Sequence, residues 1–148
     1  MHNVRSQYVA AAVATVGPAR LLTMLYDRML LDVDRAVTCL QAGNRVDGTQ
    51  HLAHAQEIVA ELMVSLQVEA WDGGQQLMSI YQYLLTELVE ASVKSDADRA
   101  IACRDLIVPL AQAWQEAADQ LATSAASSVA SVTPTRDDAM TAGLLGVG

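Results

Sequence analysis

No phenylalanine occurs in this 148-residue chain, and aromatic residues make up only 4% of it. Sheets draw heavily on aromatic and β-branched side chains. An apolar content of 52%, carried mainly by Ala, Leu, Met and Val, favours helices instead. Basic residues are also scarce, nine Lys and Arg against seventeen Asp and Glu, for a formal net charge of −8. Such a surface offers no counterion release to drive nucleic-acid binding, and anionic lipid headgroups repel it. The two cysteines, Cys39 and Cys103, are too few for a disulfide framework and lack the C-x-x-C spacing of a redox or zinc motif. Nor does any stretch reach the ~20 apolar residues of a membrane span. Arg5 followed by the run from Val9 to Val16 imitates a secretory signal, but that run is dominated by Ala and leads directly into a helix start. The reading is a soluble cytoplasmic protein of one domain.

What is present is a set of four apolar stripes. Gly17-Pro18 suits a helix start, because Pro at the first helical position loses an amide that had no partner. Leu22, Tyr26, Met29, Val33, Ala36 and Leu40 then alternate steps of four and three. Gly43-Asn44 breaks the pattern, and Asp47 is the expected cap of a second helix with the stripe Leu52, Ala55, Val59, Leu62, Leu66. Asp72-Gly73-Gly74 closes that segment. Leu77, Tyr81, Leu84, Leu88 and Ala91 form the third stripe, ended by Lys94-Ser95-Asp96, where Asp96 can cap the last helix. The fourth runs Ala100, Cys103, Ile107, Leu110, Trp114, Ala117, Leu121, with Pro109 predicting either a kink or two shorter helices. Short turns make neighbours antiparallel. The expectation is all-α: an up-and-down four-helix bundle over residues 18–122, an N-terminal segment 1–17, and a flexible low-complexity tail 123–148 rich in Ser, Thr, Ala and Gly.

Catalytic groupings are hard to find. A dinuclear metal bundle needs inward Glu-x-x-His pairs, and none occurs. His51-x-x-His54-x-x-Glu57 could in principle offer a metal two imidazoles and a carboxylate, but a solvated polar face accounts for it more simply. Cys39 and Cys103 sit in Ala/Leu-rich helical surroundings and read as buried structural thiols. Gly73-Gly74 lacks a following Lys-Ser/Thr and is a turn rather than a phosphate loop. No catalytic, cofactor or metal residue is therefore assigned.

The aromatics divide by position. Tyr26, Tyr81 and Trp114 lie on stripes and read as core, whereas Tyr8 and Tyr83 lie off them, where an amphipathic ring suits an interface. A second apolar set, Leu21, Leu25, Leu30, Ile58, Met63, Ile80 and Leu85, flanks the stripes. Either it broadens the core or it borders a groove for a partner's apolar side chains, with Met24, Met29, Met63 and Met78 as adaptable neighbours.

Four stretches in combination carry a family resemblance: Tyr8 with Val13-x-Thr15 before Pro18; Leu22-x-Met24-Leu25-Tyr26-Asp27; Ala55-Gln56-Glu57-Ile58-Val59-x-Glu61-Leu62-x-x-Ser65-Leu66; and Ile80-Tyr81-x-Tyr83-Leu84. In order and spacing they resemble the FliS-type flagellin export chaperones, over roughly Tyr8 to Ala118. The resemblance implies a cytoplasmic four-helix bundle without catalysis or cofactor. It would bind the disordered C-terminal segment of flagellin, prevent early polymerisation, and escort it to the flagellar export gate, with other flagellar regulators as further partners. Tyr8 would belong to an N-terminal cover over the client's groove. Departures from the pattern are Gly17 in place of a Ser-like cap, Gln67 where Asp is usual, Glu87 where Arg is common, and a short connection between helices two and three. By position in the matched motifs, Tyr8, Leu25, Ile58, Leu62, Leu66 and Tyr83 are expected to border the client surface. The rival reading is a homo-oligomer, such as a dimer, whose apolar faces close on a second copy with no client.

Overall fold

A computed structural model describes the backbone of residues 18–145 and the side chains of 18–128. Tyr8 and the expected N-terminal cover lie outside the described residues. Within them are four α-helices, α1 (Pro18–Gln41), α2 (Arg45–Ser65), α3 (Gly74–Lys94) and α4 (Ala97–Leu145), with a 3₁₀ turn at Val68–Ala70 and no strand. The backbones of α1 and α3 each pack against α2 and α4, while the diagonal pairs do not meet. This is the up-and-down four-helix bundle that the stripes predict.

Local chemistry sets the helix ends. Pro18 opens α1, and Gly43, at φ +79°, reverses the chain where a side chain would be strained. Asn44 rather than Asp47 caps α2. Its Oδ1 accepts from the Asp47 amide at 3.3 Å while its Nδ2 donates to Asp47 Oδ2 at 2.8 Å, so Asp47 supports the cap from the third helical position. Asp96 caps α4 by accepting from the Arg99 amide at 3.1 Å. The α2–α3 connection, expected to be short, is the longest of the three and holds the 3₁₀ turn. Glu87, one of the departures, pairs with Arg99 of α4 at 3.0 Å.

Helix α4 runs without interruption from Ala97 to Leu145. Pro109 does not split it; the ring and Asp105, whose carbonyl it leaves unpaired, are both exposed, where water can replace the lost amide. Beyond the bundle's last buried residue the helical backbone continues to Leu145. No glycine precedes Gly143 in this helix, and its many Ala residues favour helicity. Among the described side chains core burial ends at Ala118, and residues 121–128 are exposed. Ala117 and Leu121, the last two members of the fourth stripe, are exposed as well.

The core tapers. At one end Ala36, Ala55, Ala91 and Ala100 are fully buried, and small side chains let the helices close up. At the other end Tyr26, Tyr81 and Trp114 fill the centre. The hydroxyls of Tyr26 and Tyr81 meet at 2.6 Å across the bundle diagonal, and the Trp114 ring lies 6.5 Å from that of Tyr26. Removing one hydroxyl strands the other in an apolar interior, so Tyr81→Phe is expected to lower stability by about 1–2 kcal/mol and the Tyr26→Phe/Tyr81→Phe double variant by less than the sum. Urea unfolding of the three proteins checks this.

Burial raises the affinity of these groups for their protons. Desolvation pushes the Tyr26 and Tyr81 hydroxyls upward, and burial, with Glu87 nearby, pushes the Cys103 thiol up to about 12. Below the ordinary values of 9.0 for the thiol and 10.0 for the tyrosines, both folded and unfolded chains hold these protons and stability is complete. Above them the unfolded chain releases protons that the folded chain retains, so stability falls with rising pH. The urea midpoint is expected to stay flat on this account from pH 7 to about 8.5 and to drop steadily toward pH 11. Cys103→Ala should delay the onset.

Candidate functional site

The broad aromatic end does not close. Between α3 and α4 a cleft of about 330 Å³ is lined by Gln76, Leu77 and Ile80 from one helix, Leu110, Ala113, Trp114 and Ala117 from the other, and Trp71 and Gly73. A second cleft, of about 280 Å³, opens beside it between Leu22 of α1, Leu62 and Ser65 of α2, Leu66 just past its end, and Tyr81. Trp71, Leu77 and Trp114 belong to both.

The helix sequences explain the opening. Of the four adjacent helix pairs, α3 and α4 pack least closely. At their narrow end the seam is shut by Arg99, which bonds Glu87 and sits 3.7 Å from Asp96; these carboxylates, Glu87 first, hold the guanidinium above its ordinary range. Toward the broad end no hydrogen bond or ion pair crosses the seam among the described residues. There α4 presents Ala113 and Ala117, four residues apart on one face and too small to fill the space before α3. Tyr83, one turn on from Ile80 along α3, is 60% exposed. Aromatic and aliphatic walls of this kind suit apolar side chains rather than a polar metabolite.

Polar groups are sparse. The indole N–H of Trp114, a residue lining both clefts, is buried without a hydrogen-bond partner among the described residues. From Val46 to Val93, through most of α2, the connection and most of α3, there is no Lys or Arg, against Asp47, Glu57, Glu61, Glu69, Asp72, Glu87 and Glu90. Of these, Glu87 and Glu90 pair with Arg99 and Lys94 at the narrow end, while Glu69 and Asp72 stand on either side of Trp71 in the sequence beside the clefts.

The residues named from sequence fall in three places. Leu62 and Leu66 line the second cleft. Leu25 is partly buried against the core, and Ile58 is a core residue. Tyr83 is exposed on α3. Sequence reading assigned no role to Trp71, and placed Trp114 in the core although it is half-buried and lines both clefts. A Trp directly before Asp-Gly-Gly, in a chain with two tryptophans, was the available signal.

Away from the clefts, the expected solvated polar face on α2 holds only in part. His54 reaches across to the fully buried Asp32 of α1, its Nδ1 bonded to Asp32 Oδ2. Cys103 is buried, as expected of a structural thiol, but Cys39 is only half-buried. Among the described residues no group of three or more His, Cys, Asp or Glu could hold a metal ion, and no helix is long and apolar enough to cross a membrane.

Residues 1–121 match the family described as flagellar protein FliS. The chain is 31% identical to the flagellar secretion chaperone FliS of Escherichia coli (strain K12), over 73% of this chain and 81% of that protein. It is 24% identical to the flagellar secretion chaperone FliS of Bacillus subtilis (strain 168), over 79% and 87%. With the flagellar secretion chaperone FliS of Salmonella typhimurium (strain LT2) the identity is 29%, over 73% and 82%.

Proposed function

The chain belongs to the FliS family of flagellar proteins, a non-enzymatic chaperone family, and from that premise we propose that it binds the disordered C-terminal segment of flagellin in the cytoplasm. By covering that segment it keeps flagellin from polymerising and delivers it to the flagellar export apparatus. The observation that carries this reading is the pair of apolar clefts at the aromatic end, walled by Leu22, Leu62, Leu66, Leu77, Leu110 and Trp114.

A disordered client loses conformational entropy when it is ordered on the bundle, and a large apolar surface is what offsets that cost. Leu25 and Ile58, on the α1–α2 side, and Tyr83, on α3, extend the proposed contact beyond the clefts. Helix α1 begins at Pro18, one turn before Leu22 in the second cleft, so the segment bearing Tyr8 joins the bundle beside the proposed site and is assigned as its cover.

Isothermal titration of the full chain with a peptide copying the C-terminal segment of the same organism's flagellin tests the proposal. Saturable binding at one peptide per chain is expected. A folded protein giving no heat, or a stable dimer in size-exclusion chromatography that is indifferent to the peptide, would return the clefts to a homo-oligomer interface.

A further inference from the structure

Trp71 stands between the two clefts and lines both. It is 49% exposed, and it follows the 3₁₀ turn with an extended backbone, φ −159° and ψ 161°. Its ring lies over Gly73. The backbone of Gly73, at φ −85° and ψ −1°, is ordinary right-handed geometry that any residue can adopt. What requires glycine there is the indole: a Cβ at residue 73 would stand 2.7 Å from Cη2 and 2.8 Å from Cε3 of Trp71, and closer still to Cζ3. The ring thus has a seat made by a missing side chain, and among the described residues its N–H makes no hydrogen bond that would fix it there.

We propose that Trp71 is a movable divider of a single client trough, displaced from Gly73 when an amphipathic helical segment bearing basic residues beside its apolar ones occupies both clefts. This rests on the client reading above and adds how the site opens and what it selects. With the indole seated, the apolar space is split; with it swung outward, the space runs unbroken from Leu22 and Leu66 to Leu110 and Ala117.

Two observations select the occupant. Along α4 the wall from Leu110 to Ala117 spans two turns, about 10 Å, and the small side chains at 113 and 117 leave room for a helix laid against it. The charge is one-sided: Glu69 and Asp72 flank Trp71 within the stretch from Val46 to Val93 that lacks Lys and Arg. Basic residues on the incoming segment would complement this rim, while an acidic segment would be repelled.

The full chain is titrated calorimetrically with the flagellin C-terminal peptide, and with a copy in which every Lys and Arg is Gln. Trp71 emission is obtained as the difference between the wild type and Trp71→Phe, since the chain has two tryptophans. At saturation this emission is expected to shift, and its acrylamide quenching to change at least twofold. Trp71→Ala, which deletes the divider, and Gly73→Ala, which unseats it, are both expected to bind the peptide about three- to tenfold more tightly, because the free protein no longer closes the trough. The Gln copy is expected to bind about tenfold more weakly at low salt, with the gap narrowing as salt is raised.

Peptide binding with unchanged Trp71 emission and wild-type affinity in Trp71→Ala removes the divider and leaves the client reading standing. Equal affinity for the two peptides removes the basic segment. No heat with any folded variant removes the client reading and the divider together. Should Gly73→Ala fail to fold, as circular dichroism would show, Trp71→Ala and the emission change decide alone.

Discussion

Replacing Ala113 and Ala117 together by Asp is expected to weaken binding of the flagellin C-terminal peptide at least a hundredfold while the bundle stays folded. Both residues are exposed in the free protein and both line the α3–α4 cleft, so the substitution separates the surface from the core. In the free chain the new carboxylates stay hydrated, and the cost is that of helix propensity, about 1 kcal/mol for the pair. In the complex they would lie under the client's apolar side chains, where an unpaired charge must be stripped of water at several kcal/mol. A hundredfold loss corresponds to about 2.7 kcal/mol, well within that penalty. Gln112→Asp/Gln120→Asp makes the same chemical change at exposed positions of α4 that line neither cleft; it should move the affinity less than threefold. Calorimetry on the two double variants, with circular dichroism as the check on folding, gives the comparison. Matching losses in both would show that α4 stability, rather than the cleft, governs binding.

That test depends on a surface the sequence could only half reveal. Steps of three and four report which residues share a helix face, and they placed Tyr26, Val33, Leu52, Val59, Leu84, Leu88 and Ile107 in a core where each is fully buried. The same steps continue through Trp114, Ala117 and Leu121, where the face runs past the bundle's own helices and burial lapses. A stripe reads alike whether it faces a neighbouring helix or a partner. Ile58 shows the converse: it sits beside its stripe yet is buried, because an apolar face is broader than a single row. Trp71 belongs to no stripe at all; its position becomes meaningful only when the connection folds its ring over Gly73 and between the clefts. Asp32 was hidden for a different reason. Nothing local marks an acid at the edge of an apolar face as buried, and its partner His54 lies on the next helix.

That pair should respond asymmetrically to mutation: His54→Ala is expected to destabilise the fold by about 3 kcal/mol, whereas Asp32→Leu should be close to neutral or stabilising. The Asp32 side chain is 1% exposed, but its partners Arg28 and His54 remain 50% and 44% exposed. Arg28 Nε approaches Asp32 Oδ1 at 3.3 Å without hydrogen-bond alignment, so that oxygen has no hydrogen bond and His54 supplies the one made to the carboxylate. Removing the imidazole leaves the carboxylate buried with a single misaligned cation, the situation in which a broken pair costs most. Removing the carboxylate instead leaves an arginine and a histidine that can turn to water, and leucine offers a similar volume at this fully buried position. With a urea m-value in the usual range of about 1–3 kcal/mol/M, the His54→Ala midpoint should fall by at least about 1 M. Combining His54→Ala with Asp32→Leu should restore most of that loss, because the buried group that needed the imidazole is gone. If Asp32→Leu proved as damaging as His54→Ala, the pair would be a net source of stability in its own right, its attraction outweighing the cost of stripping water from Asp32.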